Sequence, residues 1–110
     1  MRNTFSLAKV LRSKGLDVHI APSGKDGLAS LNDKSNYDLV LMDIMMPEMD
    51  GYETMLRIRA QEKFKGLPII ALTANAMRGD KDKCINAGAN DYLAKPVEVD
   101  KLLHQMEAWL

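Results

Sequence analysis

Leu39-Val-Leu-Met-Asp43 is a run of four apolar residues closed by a single acid, and its reading decides the fold. Two later runs share its form: Pro68-Ile-Ile-Ala-Leu72 stops at Thr73, and Tyr92-Leu-Ala94 stops at Lys95-Pro96. Short apolar runs separated by helix-length segments are the pattern of buried parallel strands. Ligands of open α/β sheets bind beyond the carboxyl ends of such strands. An acid, a hydroxyl and an ammonium are therefore expected to converge on one edge of one sheet. That trio suits a carboxylate that accepts a phosphoryl group. Asp43 would be the nucleophile, with Lys95 and Thr73 giving charge and hydrogen bonds to phosphate oxygens.

Working outward, the expected order is α-β-α-β-α-β-α-β-α. Residues 3–13 carry Phe5, Leu7, Ala8, Val10 and Leu11 at helical spacing, and Gly15 ends that helix. Residues 17–21 read as a short strand. Ser23 can cap a second helix with Leu28, Ala29 and Leu31 facing inward. Residues 37–43 form the most continuous strand, and residues 47–51 a loop, with a third helix from Asp50 or Gly51 to about residue 62. A turn at 66–68 leads into the strand ending at Thr73. A fourth helix spans roughly 78–87 and stops at Gly88. The last strand reaches Ala94, and a last helix presents Val99, Leu102, Leu103, Met106 and Leu110 to the sheet. Alternating short strands and helices, with no linker or repeat, mean one doubly wound parallel α/β domain.

The 110 residues suit one domain with a modest core, and 15 basic against 15 acidic residues leave no net charge. Neither nucleic acid nor an anionic membrane is indicated as a partner. No apolar stretch is long enough to span a bilayer, and the start lacks a signal-peptide core. One cysteine, Cys84, excludes an internal disulfide and fits a reducing cytosol, so a cytoplasmic location is expected. Met42, Met45, Met46, Met49 and Met55 read as flexible core filler rather than a binding groove. Cys84 and the two histidines, His19 and His104, read as structural or surface residues, and Gly51, Gly88 and Pro47 as turn residues.

Three stretches carry a family resemblance: Asp43-Ile-Met-Met-Pro-Glu-Met-Asp-Gly51, Leu72-Thr-Ala-Asn-Ala-Met77 and Ala87-Gly-Ala-Asn-Asp-Tyr-Leu-Ala-Lys-Pro96. In order and spacing they resemble the receiver domains of two-component response regulators, especially those attached to hybrid histidine kinases. The resemblance implies a flavodoxin-like fold and a signalling module rather than an enzyme. By the same resemblance Asp43 is the phosphoacceptor and Lys95 the phosphate partner, its bond to Pro96 cis. Thr73 and Tyr92 become switch residues, and Asp43 with the Met45 backbone carbonyl becomes the Mg²⁺ ligands. The implied phosphoryl donor is a histidine kinase or a histidine phosphotransfer protein, and the implied output is a reshaped face of the fourth helix, last strand and last helix.

A receiver also begins with an apolar strand ending in two acids that hold Mg²⁺, and Met1-Arg2-Asn3-Thr4-Phe5 resembles the segment after them. Residues 1–110 therefore read as an N-terminally truncated receiver with four recognisable strands. It could be a fragment, an engineered form or a degenerate domain. Weakened Mg²⁺ binding is expected, as is self-association through the open sheet or the last-helix face. The rival reading is a pseudo-receiver, an interaction module that is not phosphorylated. An aspartate-nucleophile phosphatase of the haloacid dehalogenase type would need a second Asp where Met45 stands, and no Gly-x-Gly-x-x-Gly follows a strand.

Overall fold

The computed structural model describes residues 3–33, 36–46, 48–74 and 78–110, with the backbone alone at 3–5 and 78. Pro47 and the stretch 75–77 of the second motif lie outside the described residues. The order is α1 (Asn3–Ser13), α2 (Gly24–Asp33), β1 (Val40–Asp43), α3 (Gly51–Arg59), a 3₁₀ turn (Glu62–Phe64), β2 (Ile69–Thr73), α4 (Arg78–Ala87), β3 (Asp91–Ala94) and α5 (Val99–Trp109). The strands form one parallel sheet in the order β1-β2-β3. Asp43 pairs with Leu72, Leu72 with Leu93, and Thr73 with Ala94.

Side-chain alternation along β2 builds a core on each face of the sheet. Ile69 and Ala71 join Met42, Met55, Ile58, Phe64 and Cys84 beneath α3 and α4. Ile70 and Leu72 join Leu11, Leu102 and Met106 beneath α1 and α5. β2 is the middle strand of the described sheet, and all five of its residues are buried.

Helix ends follow the local chemistry. Ser23 accepts the Asp26 N–H at 3.1 Å and donates to the Asp26 carboxylate at 2.9 Å, capping α2 as expected. Asp50 caps α3 by accepting the Glu53 N–H at 2.9 Å. Gly88, with φ +123°, stops α4 where its backbone turns left-handed.

Four expectations need correction. The sheet holds three strands among the described residues, because residues 17–21 are irregular. No described strand offers them a ladder on the far side of β1. Their apolar residue Val18 instead packs on the α1/α5 core, and its carbonyl accepts from Arg12 at 2.6 Å. Strand β1 begins at Val40 rather than near 37, since its first bond runs from the Val40 N–H to the Pro68 carbonyl at 2.9 Å. Helix α3 ends at Arg59, and the 3₁₀ turn after it drops Phe64 into the core. Ala29, Leu110 and Met45 are exposed rather than packed inward.

Cys84 is buried as a small helix-face residue, and burial pushes its thiol pKa up. Burial also raises the pKa of Tyr52 beside it, with Cys84 the next contributor.

Candidate functional site

The register brings the three strand ends together. The Ile44 N–H donates to the Leu72 carbonyl at 3.1 Å, and the Lys95 N–H to the Thr73 carbonyl at 2.7 Å. Each bond extends a parallel ladder by one residue, so Asp43, Thr73 and Lys95 occupy one edge. Lys95 Nζ lies 2.7 Å from Asp43 Oδ1, with the lysine side chain 18% and the aspartate side chain 27% exposed. The pair is charge-assisted in a partly dry setting, where an ammonium holds an acceptor oxygen more firmly than in bulk water. Thr73 is buried beside them. The Lys95-Pro96 bond is cis.

The loop after β1 closes onto the same carboxylate. The Met45 N–H donates to Asp43 Oδ1 at 3.1 Å, while the Met45 side chain is 72% exposed. Met45 thus contributes backbone to the site, whatever its side chain. Oδ1 accepts from both Lys95 and Met45; Oδ2 carries neither of those bonds.

Tyr92 lies in β3, partly buried against the α3/α4 core, with its carbonyl accepting from the Gln105 amide at 3.2 Å. His19 contacts Asp17 at 3.6 Å and the Tyr37 ring at 5.5 Å, away from the strand-end trio.

Asp43 and the Met45 carbonyl are hard oxygen donors of the kind Mg²⁺ prefers, with water and phosphate completing such sites. Among the described residues, no group of three or more His, Cys, Asp or Glu side chains could hold a metal. The donors fit the ion in kind, as a sparse set containing one carboxylate.

Two features were not legible as site architecture in the sequence. Gly51 was read as a turn residue, yet a Cβ there would stand 2.5 Å from the Asp43 carbonyl oxygen and 2.7 Å from Ile44 Cα. Arg59 sits in the last turn of α3, where a basic residue ordinarily reads as a solvated dipole partner. Its guanidinium instead bonds the Gly88 carbonyl, the Phe64 carbonyl and the Asn90 side chain. The available signal was Asn90 at the head of a strand, a place where a side-chain amide can extend a backbone ladder.

Comparison with known proteins gives a consistent result. The family model of the response regulator receiver domain matches residues 2–107. Hybrid signal transduction histidine kinase L of Dictyostelium discoideum is 42% identical over 101 residues, covering 87% of this chain and 6% of the kinase. The chain thus spans a small part of the curated kinases that it matches. The receiver domain of sensor histidine kinase PA1611 from Pseudomonas aeruginosa PAO1, solved with a magnesium ion coordinated in its active site cleft, superimposes with a TM-score of 0.88. It is 42% identical, with 97% of this chain and 87% of that one covered. Vibrio cholerae chemotaxis protein CheY4 superimposes with a TM-score of 0.92 at 27% identity, covering 100% of this chain and 91% of that one.

Proposed function

The chain belongs to the response regulator receiver domains, and from that premise we propose that it accepts a phosphoryl group on Asp43 in a two-component phosphorelay. The observation that carries this reading is the 2.7 Å pair between Lys95 and Asp43 at the carboxyl edge of the sheet, with Thr73 one register step away. The donor is a phosphohistidine of a histidine kinase or phosphotransfer protein. A carboxylate oxygen of Asp43 attacks phosphorus. The P–O bond forms as the P–N bond breaks, and the bonding pair leaves with the imidazole nitrogen, which takes up a proton. Oδ2 is the better placed nucleophile, because Oδ1 already accepts from Lys95 and Met45.

Lys95 neutralises part of the charge of the acyl phosphate, about −2 where the free carboxylate carries −1. Asp43 and the Met45 carbonyl would hold a Mg²⁺ ion, whose chemistry there would be to offset further negative charge on the phosphoryl oxygens. Thr73 and Tyr92 then move toward the phosphate and reshape the face of α4, β3 and α5. The protein works in the cytoplasm as a signalling module. Among the described residues no helix is long and apolar enough to cross a membrane.

Acetyl phosphate with Mg²⁺ should label the chain, and Asp43→Asn should abolish the label. Equal labelling of Asp43→Asn would refute the assignment. Lys95→Ala should change the stability of the unphosphorylated protein by no more than about 2 kcal/mol, between the cost of losing an exposed and a buried ion-pair partner. Its response to phosphorylation should be weak or absent. Urea unfolding and tyrosine fluorescence with and without acetyl phosphate read both effects; a large stability loss would make Lys95 structural.

Among the described residues no cluster of three carboxylate, His or Cys side chains stands at this edge, which favours one second reading, a pseudo-receiver that binds partners without being phosphorylated. A parent chain that takes no label under the same conditions supports it.

A further inference from the structure

We propose that Gly24 and Thr54 form a positioning contact that sets the loop after Asp43; this rests on the phosphoacceptor reading. Gly24 is the buried first residue of α2. A Cβ built there would overlap Thr54 Oγ1 and stand 3.4 Å from both the carbonyl oxygen and the sulfur of Met49. Helix α2 therefore approaches the first turn of α3 as closely as a hydrogen atom permits. Thr54 is 1% exposed, and its hydroxyl donates to the Asp50 carbonyl at 2.8 Å. Its own N–H donates to the same carbonyl at 3.0 Å.

The contact continues to the phosphoacceptor. The Gly51 N–H donates to the Ile44 carbonyl at 2.9 Å, and the Met45 N–H reaches Asp43 Oδ1 at 3.1 Å. Ile44 and Met45 are thus tied to the strand end, and Asp50 and Gly51 to the first turn of α3. Pushing α2 outward from α3, or α3 away from α2, must shift Thr54, then Asp50, then the loop after Asp43. Lys95 directly follows β3 and lies outside that path. Gly24 and Thr54 are positioning residues: neither touches the phosphoryl group, and both act through the backbone of Met45 and Gly51.

The test uses the full chain as Gly24→Ala, Thr54→Ala and the double variant. Gly24→Ala should slow labelling by acetyl phosphate about tenfold, in keeping with the sensitivity of positioned chemistry to small displacements. In metal-free buffer its Met45 and Gly51 amides should exchange hydrogen faster than in the parent, while the β2 amides keep their protection. Thr54→Ala opens space but gives up the hydroxyl that holds the Asp50 carbonyl, and should slow labelling by about threefold. The double variant should return to within about twofold of Thr54→Ala, because the overlapping oxygen is gone. Parental labelling and exchange in Gly24→Ala, or a double variant no better than the single, would overturn the proposal. Should Gly24→Ala fail to fold, a folded double variant supports it and an unfolded one overturns it. Should the parent take no label, the phosphoacceptor reading fails, and amide exchange at Met45 and Gly51 still decides this contact.

Discussion

Gly51→Ala will cost the domain about 2–3 kcal/mol and will disturb the strand end at Asp43 in the folded fraction, an overpacking loss. The added methyl would meet Asp43 O at 2.5 Å, Ile44 Cα at 2.7 Å and Ile44 Cδ1 at 2.9 Å. The first two are backbone atoms at the end of β1 and cannot rotate aside. Either the strand end or the helix start must move, and the bond from the Gly51 N–H to the Ile44 carbonyl resists both. Urea unfolding should show the loss, and labelling by acetyl phosphate should fall with it. Gly79 in α4 is the control, since nothing lies within 4 Å of a Cβ there. Helix propensity favours alanine at such a site by up to about 1 kcal/mol. A Gly51→Ala loss below about 0.5 kcal/mol, the range of unremarkable surface changes, would mean that the loop has slack which these distances do not suggest.

The contrast between Gly51 and Asp43 shows what a sequence can reveal. Asp43, Thr73 and Lys95 were legible because each closes an apolar run, and parallel strands in register must bring such ends together. Helix α1 was legible to the residue and α4 in approximate extent, since amphipathic spacing or a stop glycine marks their limits. Contacts between elements leave no such local mark. A glycine that makes a turn and a glycine that admits a neighbouring helix look alike in sequence. The segment 17–21 fails for a related reason. Its alternating residues suit a strand, but a strand exists only beside another backbone, and the described sheet offers it none. Its pattern predicts a strand, and without a neighbouring backbone the segment is irregular.

Arg59 is the other residue hidden by that limit, and Arg59→Met should lower stability by about 3 kcal/mol, the cost of several lost charge-assisted bonds to buried carbonyls. Nε and Nη2 hold the Gly88 carbonyl at 3.0 and 2.8 Å, Nη1 holds the Phe64 carbonyl at 2.7 Å, and Nη2 also reaches Asn90 Oδ1 at 2.8 Å. Burial pulls the guanidinium pKa below its ordinary value, a desolvation cost that these bonds offset. Methionine keeps the aliphatic stem but satisfies none of the acceptors. Arg59→Lys should recover less than half of the loss, because one ammonium cannot reproduce a planar fork that serves three acceptors. Urea midpoints of the three proteins decide this; a loss below about 1 kcal/mol in Arg59→Met would mean that water replaces the guanidinium. The site itself should survive. Asn90 also sets the start of β3 through its own backbone, donating to the Ile69 carbonyl at 2.7 Å, and its Oδ1 accepts the Ile69 N–H at 2.8 Å. A slip of one residue would move Lys95 by about 3.3 Å along the strand, breaking its pair with Asp43. Arg59 Nη2 shares Asn90 Oδ1 with the Ile69 N–H, but the backbone bond from the Asn90 N–H to the Ile69 carbonyl does not involve Arg59, so the register should hold. Folded Arg59→Met should then take label from acetyl phosphate at the parental rate, with the damage confined to the fraction that unfolds.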